Sequence, residues 1–310
     1  MNAIQNQESF DTEVRAAAFQ WLREQSPVHD DVLPRGLLQE GFVFRNERIP
    51  LVSPQGIFTP KVLDIPLSIT TEPESAFSDS LSSDEFLLYR YRGTDPDHPD
   101  NAGLRTAMQK KIPLIYFYGI VPGKYLAVWP VYIVGDDPEN LTFTVDVDIS
   151  YLHAMNGTAY GFDRVEEDTS GIRRAYVIAA VKVRLHQRSF REKVLHAYRS
   201  QCALCRLRHL ELLDAAHIIP DCEPDSRQTV DNGIALCKLH HAAFDRFIIG
   251  ITPDYTIDVR QDILDEEDGP MLRHGLQKLH RSRILLPHSQ DDRPDRELLD
   301  KRYERFKRAI

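Results

Sequence analysis

Four residues in the last third of the chain have the types and spacing of a metal site. Cys202 and Cys205 form a C-x-x-C step, and Cys237 with His240 forms a C-x-x-H step. Three thiolates and one imidazole, each pair set on a tight turn, make a closed tetrahedral donor set for structural Zn²⁺. The competing reading is a set of unliganded core cysteines with a surface histidine. Cys222 lies in a loop without a nearby ligand partner and reads as a free thiol. Between the two steps, L-L-D-A-A-H-I-I-P places His217 at the end of a short apolar strand, and Asn232 sits in a D-N-G turn. His241 and Asp245 share one face at the start of an expected helix and can hold the same cation. His186, His196 and His209 show no comparable pattern and are expected at the surface.

Taken together, C-x-x-C, D-A-A-H-I-I-P, N-G, L-C-x-x-H-H and F-D, over residues 201–246, resemble the HNH endonuclease family of ββα-metal folds. The resemblance implies that His217 is the general base, a role suited to a neutral imidazole that titrates near operating pH. It implies that Asn232 fixes the loop and orients that histidine, and that His241 and Asp245 are ligands of a catalytic divalent metal, Mg²⁺, Mn²⁺ or another transition ion. Where many members carry a first ligand directly before the base, this chain has Ala216. Asp214, two residues earlier on the same strand face, is the acid close enough to substitute. It could equally orient the water or a basic side chain. The competing reading of His217 is a hydrogen-bonded core histidine.

The N-terminal part carries a second, partial resemblance. F-S-D-S-L-S-S-D-E-F-L-L-Y-R-Y-R-G, then D-N-A-G-L-R-T-A and P-G-K-Y, is similar in order and spacing to the SRA (YDG) readers of modified cytosine, a PUA-like fold, through Phe77, Asp79, Tyr91, Gly93, Asn101, Leu104 and Tyr125. It departs from the family at Phe77, where tyrosine is usual, in lacking the preceding Gly-Gly, and at Asp84-Glu85, which replaces an acid-glycine step. The resemblance implies that Phe77 and Tyr91 stack on a flipped base while Asp79 accepts hydrogen bonds from its edge. The competing reading makes both aromatics part of a sheet core. A backbone modification such as phosphorothioate is a further candidate ligand, to which no residue pattern here points. Arg90, Arg92 and Arg105, in a polar loop with Asp95, His98 and Asn101, form the expected DNA-contacting surface; a salt-bridged structural turn is the alternative.

The elements that must position these residues follow from periodicity. Val14, Ala17, Ala18, Trp21 and Leu22 mark an amphipathic helix from Phe10 to Gln25. Short apolar runs broken by proline fit strands or extended segments up to Pro73, FLLYRYR alternates as a strand, and Asn101 to Lys110 reads as a short helix. PLIYFYGIVPGKYLAVWPVYIVGDD and LTFTVDVDI are expected as adjacent strands of one curved sheet. Ala175 to Leu185 reads as another strand. The tail from Gly269 is helix-like and charged, with no chemistry assigned. The expected class is α+β: a PUA/SRA-like curved sheet with flanking helices over residues 1–186, then a zinc-held ββα-metal domain and helical tail over 187–310.

The 310 residues suffice for two cores. A formal net charge of −9 argues mildly against nucleic acid as a partner, since phosphate contacts demand positive surface. Its distribution argues the other way: Lys182, Arg184, Arg188, Arg191, Lys193, Arg199, Arg206 and Arg208 face the single acid Glu192 across one stretch. No run approaches the length of a membrane span, and MNAIQNQESF lacks the basic start and apolar stretch of a signal peptide, so a cytoplasmic protein that leaves membranes alone is expected. The leading expectation is a modification-dependent, type IV-like restriction endonuclease acting on double-stranded DNA, with a homodimer plausible because a double-strand cut needs two sites or two nicks. The alternatives are a nuclease effector whose N-terminal domain is a regulatory or partner-binding sensor, and a catalytically inactive zinc module that binds DNA.

Overall fold

The computed structural model describes residues 2–73, 87–148, 170–221, 223, 226–267 and 269–309. The expectations for Phe77, Asp79, the Asp84-Glu85 step and Cys222 fall outside these residues. The chain divides into two compact units, residues 1–185 and 186–310.

The first unit is built on a seven-stranded sheet curled into a half-barrel. Helix α1 (Asn2–Val28) is followed by β1 (Val32–Pro34), α2 (Arg35–Glu40), the hairpin β2 (Phe42–Phe44) and β3 (Glu47–Ile49), then β4 (Ile57–Phe58), β5 (Ser68–Thr71) and β6 (Leu87–Arg90). Helix α3 (Pro99–Lys110) and the long strands β7 (Leu114–Val121), β8 (Lys124–Asp137) and β9 (Thr142–Val147) complete it. The sheet order is β4-β5-β7-β8-β9-β6, with β1 added on β8; β5 and β7 run parallel and the other neighbours antiparallel. Every residue of β7 is buried, and its side chains alternate between two cores. Leu114, Tyr116 and Tyr118 join Leu104 and Ala107 of α3 on one face; Ile115 and Phe117 join Val14, Ala18 and Leu22 of α1 on the other.

Helix α4 (Ser170–Ala197) contains the division between the units. It corrects the strand expected over Ala175–Leu185. Val181 and Leu185 are buried one helical turn apart while Val183 between them is 53% exposed, so the β-branched content of this stretch is a helix stripe and not a period of two.

In the second unit, β10 (Leu213–His217) pairs antiparallel with β11 (Gly233–Cys237), and α5 (Lys238–Asp245) follows at once. This ββα unit is continued by the hairpin β12 (Ile249–Ile251) and β13 (Ile257–Val259), the short helices α6 (Gln261–Leu264) and α7 (Pro270–Gly275), and α8 (Arg296–Arg308). Asp295 caps α8, accepting from the Glu297 and Leu298 amides at 2.7 and 3.2 Å. The core joins Phe190, Val194 and Tyr198 of α4 to Ile218, Ile234, Leu236, Phe244 and the tail residues Leu276, Ile284, Leu298 and Leu299. A Cβ on Gly250 would lie 2.6 Å from the Phe306 ring, so β12 needs glycine there for α8 to pack. Among the described residues no helix is long and apolar enough to cross a membrane.

Candidate active site

Cys202 and Cys205 lie just beyond the end of α4, Cys237 ends β11, and His240 stands in the first turn of α5. Their four ligand atoms lie within 4.8 Å of one another. His240 Nδ1 is 3.4 Å from Cys202 Sγ and 3.2 Å from Cys237 Sγ, and the Cys205 and Cys237 sulfurs are 3.9 Å apart. The other nitrogen, Nε2, donates to the Gly275 carbonyl at 2.7 Å, which aims Nδ1 at the sulfurs. Hydrogen bonding from Cys205 and then Cys237 lowers the Cys202 thiol pKa from its ordinary range, while the Cys205 thiol, hydrogen-bonded to Cys202, is raised. The quartet could hold a metal ion and ties the start of the unit to the β11–α5 junction.

His217 ends β10, directly opposite Gly233. Its ring stacks on Phe190 of α4 with centroids 3.9 Å apart and planes 8° from parallel. Gly233 is required by this packing: a Cβ there would meet Val194 Cγ2 at 2.4 Å and Phe190 Cζ at 2.9 Å. His217 Nε2 is buried with no hydrogen-bond partner among the described residues. Burial lowers the imidazole pKa below its ordinary range; the opposing pull of nearby Gln228 and Asp221 is smaller.

Asn232 is fully buried and pins the chain that follows His217. Its side-chain oxygen accepts from the Ile219 amide at 2.9 Å, while its amide donates to the carbonyls of Ile219 at 3.1 Å and Arg227 at 2.9 Å and to Ser226 Oγ at 3.3 Å. The Asn232 carbonyl in turn accepts from the Ile218 amide at 2.9 Å.

The strand and helix bring Asp214, His241 and Asp245 together, with His241 the fourth residue of α5 and Asp245 its last. His241 Nδ1 is 3.4 Å from Asp214 Oδ2 and its Nε2 is 3.3 Å from Asp245 Oδ2. As they stand the imidazole bridges the carboxylates through opposite nitrogens, so the three do not yet converge on one point. Asp214 raises the His241 pKa. Burial pushes the Asp214 carboxyl up, but His241, the Ala215 amide and Lys238 together outweigh it and leave it below its ordinary range.

Two residues outside the motif reach these carboxylates, and neither is marked by the motif's spacing. Arg191 of α4 lies 3.6 Å from Asp214 and donates to the Leu213 carbonyl at 3.1 Å. Arg302 of α8 lies 3.5 Å from Asp245. The tail therefore contributes to the site, through Arg302 and through the Gly275 carbonyl, although its sequence carried no assigned chemistry. Phe190 was likewise hidden, as a single aromatic in a basic stretch. His196 and His209 are exposed and His186 is half-buried.

In the first unit, Tyr91 is buried and stacked on Phe143 at 4.5 Å, and its hydroxyl donates to Asp136. Arg105 donates to the Tyr91 hydroxyl at 3.1 Å, to Asp136 at 2.7 Å and to the Pro96 carbonyl at 2.7 Å. Arg92 pairs with Asp100 and donates to Gln55 at 3.3 Å; Arg90 is exposed. Buried Asn101 fastens the loop, donating to the Asp95 carbonyl at 2.8 Å and accepting from the Arg92 amide at 2.9 Å. Arg92 and Arg105 thus direct donors both to the loop and to Gln55 and Asp136 outside it, and Tyr91 packs against Phe143 of the sheet.

Residues 202–252 match the model of a family described as HNH endonuclease. No curated protein matches the chain. Among solved structures it is similar to a "Modification dependent TagI restriction endonuclease", at 15% identity over 78% of this chain and 81% of that one with a TM-score of 0.30. It is also similar to the type IV phosphorothioation-dependent restriction endonuclease ScoMcrA, at 15% identity over 61% and 51% with a TM-score of 0.21. Likeness at that level fixes neither fold nor activity. The strand ending in His217, its partner strand and the following helix are the matched segment, and the second unit of this chain is a nuclease unit carrying an HNH endonuclease domain.

Proposed function

We propose that the protein is a metal-dependent DNA endonuclease of the modification-dependent, type IV-like restriction kind. The observation that carries the nuclease half is the placement of His217, Asn232 and the Asp214–His241–Asp245 cluster on one ββα unit. His217, held neutral by burial, takes a proton from the attacking water as its oxygen bonds to phosphorus and the bond to the leaving oxygen breaks. Asp214, His241 and Asp245 are the side chains that would hold the divalent ion, Mg²⁺ or Mn²⁺. When bound, such an ion polarises the scissile phosphate and stabilises the leaving oxygen. Asn232 fixes the backbone beyond His217, so the imidazole keeps its place as the proton moves.

The Cys202, Cys205, Cys237 and His240 quartet fits structural zinc. A tetrahedron with Zn–S near 2.3 Å and Zn–N near 2.05 Å has S–S edges of about 3.8 Å and S–N edges of about 3.6 Å. The observed 3.9 Å sulfur pair and 3.2 and 3.4 Å sulfur–nitrogen distances are close to these.

The reader half is supported by the partial SRA resemblance of residues 77–125 and by the curled sheet that carries Tyr91 and the Arg90–Arg105 loop. Base stacking on Tyr91 requires its packing on Phe143 and Arg105 to open. One observation favours a second reading, a sensor domain that triggers the nuclease: a cavity of about 520 Å³, the size of a small-molecule site, lined by Phe10, Asp11, Asp64, Thr106 and Lys110 among others.

The test uses otherwise identical plasmids, unmodified, 5-methylated and 5-hydroxymethylated at cytosine, with wild type and His217→Ala, in Mg²⁺, Mn²⁺ or chelator. Cutting confined to modified DNA, abolished by chelator and by the substitution, is expected. Equal cutting of all plasmids removes the base reader and leaves the nuclease; no cutting of unmodified or modified DNA until a small ligand is added gives the sensor reading.

A further inference from the structure

Arg302 lies on α8, outside the matched residues 202–252, yet only 4% of it is exposed. Its Nη2 donates to the Phe244 carbonyl at 2.9 Å and stands 3.5 Å from Asp245 Oδ1. Its Nη1 reaches the Ile218 carbonyl at 3.5 Å, one residue beyond His217. The guanidinium carbon is 4.3 Å from the Phe244 ring centroid and 4.8 Å from that of Phe247. One planar fork therefore touches the chain after the base, the last turn of α5 and the outermost acid of the cluster.

Capping the last turn of α5 explains only part of this arrangement. Carbonyls at a helix C-terminus need donors and favour a cation, and any N–H or ammonium at the surface meets that need. A guanidinium taken out of water is costly unless it is paired, and desolvation indeed holds Arg302 below its ordinary pKa. Its charged partner is Asp245, a side chain 54% exposed that would otherwise sample several rotamers. Arg302 stands beside Oδ1 as an ion pair at 3.5 Å, and the remaining oxygen, Oδ2, is the one 3.3 Å from His241.

We propose that Arg302 is a positioning residue for the nuclease: it fixes Asp245 by one oxygen so that the other is presented beside His241. This rests on the role proposed above for Asp245. A planar, forked donor is required; lysine keeps the charge but cannot hold the two carbonyls and the carboxylate at once.

The test compares the full-length wild type, Arg302→Lys, Asp245→Asn and the double variant. Cleavage is followed as kcat and KM on the plasmid that wild type cuts, and Mn²⁺ binding without DNA by electron paramagnetic resonance of the free ion. Arg302→Lys is expected to retain its zinc and its cooperative melt, to lose roughly 10–100-fold in kcat with KM little changed, and to bind Mn²⁺ more weakly. Adding it to Asp245→Asn is expected to cost little more. Wild-type kcat and Mn²⁺ binding in Arg302→Lys, or losses that multiply in the double variant, overturn the proposal. Arg302→Met, where it folds, should lose at least as much. A wild type that neither cuts nor binds Mn²⁺ sinks the underlying reading and this one with it, whereas a wild type that does both while Arg302→Lys matches it sinks this one alone.

Discussion

His217 shows how one residue's surroundings select its chemistry. Stacked on Phe190 with Nε2 buried and unpaired among the described residues, it is a histidine whose charged form the protein disfavours. Its folded pKa lies below the ordinary value near 6.5, so the neutral base persists to lower pH than a free imidazole would allow. As pH falls, kcat/KM is therefore expected to drop only below that ordinary value, and Phe190→Ala, which admits water to the ring, should move the acid limb toward higher pH. A pH–rate profile with Mn²⁺ held saturating checks this; an acid limb in wild type above 7 would contradict the assignment. His217→Ala should lose on the order of 10²–10⁴-fold, the usual contribution of a general base. Asn232 belongs to the same scale but acts on backbone: each partner it leaves unsatisfied when truncated costs about 1–3 kcal/mol.

At the scale of elements, the site depends on how closely α4 lies against β11. Gly233→Ala places a methyl 2.4 Å from Val194 Cγ2, so the helix must withdraw or the strand must shift. Overpacking of this kind costs about 1–3 kcal/mol, and here the displaced ring is the one under His217. The expected outcome is a lowered urea midpoint together with a kcat loss larger than the stability loss explains; restored kcat in Gly233→Ala/Val194→Ala would confirm the steric cause. The strand, turn and helix of the nuclease motif were legible because ligand chemistry constrains spacing: Cys237 to His240 and His241 to Asp245 can be read without any packing. Helix α4 was misread because valines at 177, 181 and 183 suggest a strand, and only burial shows that 181 and 185 face in while 183 faces out. Phe190, Arg191 and Arg302 were illegible for a different reason: their roles arise from contacts with residues distant in sequence, and nothing local marks them. The arginines of the 90–105 loop stand open between DNA contact and structural turn; Arg92 meets Asp100 and Gln55, and Arg105 meets Asp136, the Tyr91 hydroxyl and the Pro96 carbonyl, contacts that no local spacing marks.

For the whole molecule, the cores are separate. Two clusters flank the curled sheet and a third fills the nuclease unit. The metal quartet belongs to the third alone, tying residues 202–205 to 237–240. Metal binding of this type supplies folding free energy directly, on the order of 10 kcal/mol in small zinc domains. Chelation, or Cys202→Ser, is expected to abolish the calorimetric transition of residues 186–310 while that of residues 1–185 persists near its original temperature. A single transition that moves as one after metal removal would show the two cores to be coupled.

The packing of α8 bears on how the chain is made. Every side chain of the ββα motif has been synthesised by Asp245, but Leu298, Leu299, Arg302 and Phe306 are needed to close the core beneath it. A nascent chain that already carries His217, His241 and Asp245 but not α8 therefore has an open floor beneath them. The core of the second unit closes only once α8 is made, when the curled sheet and its aromatic cores have already been synthesised.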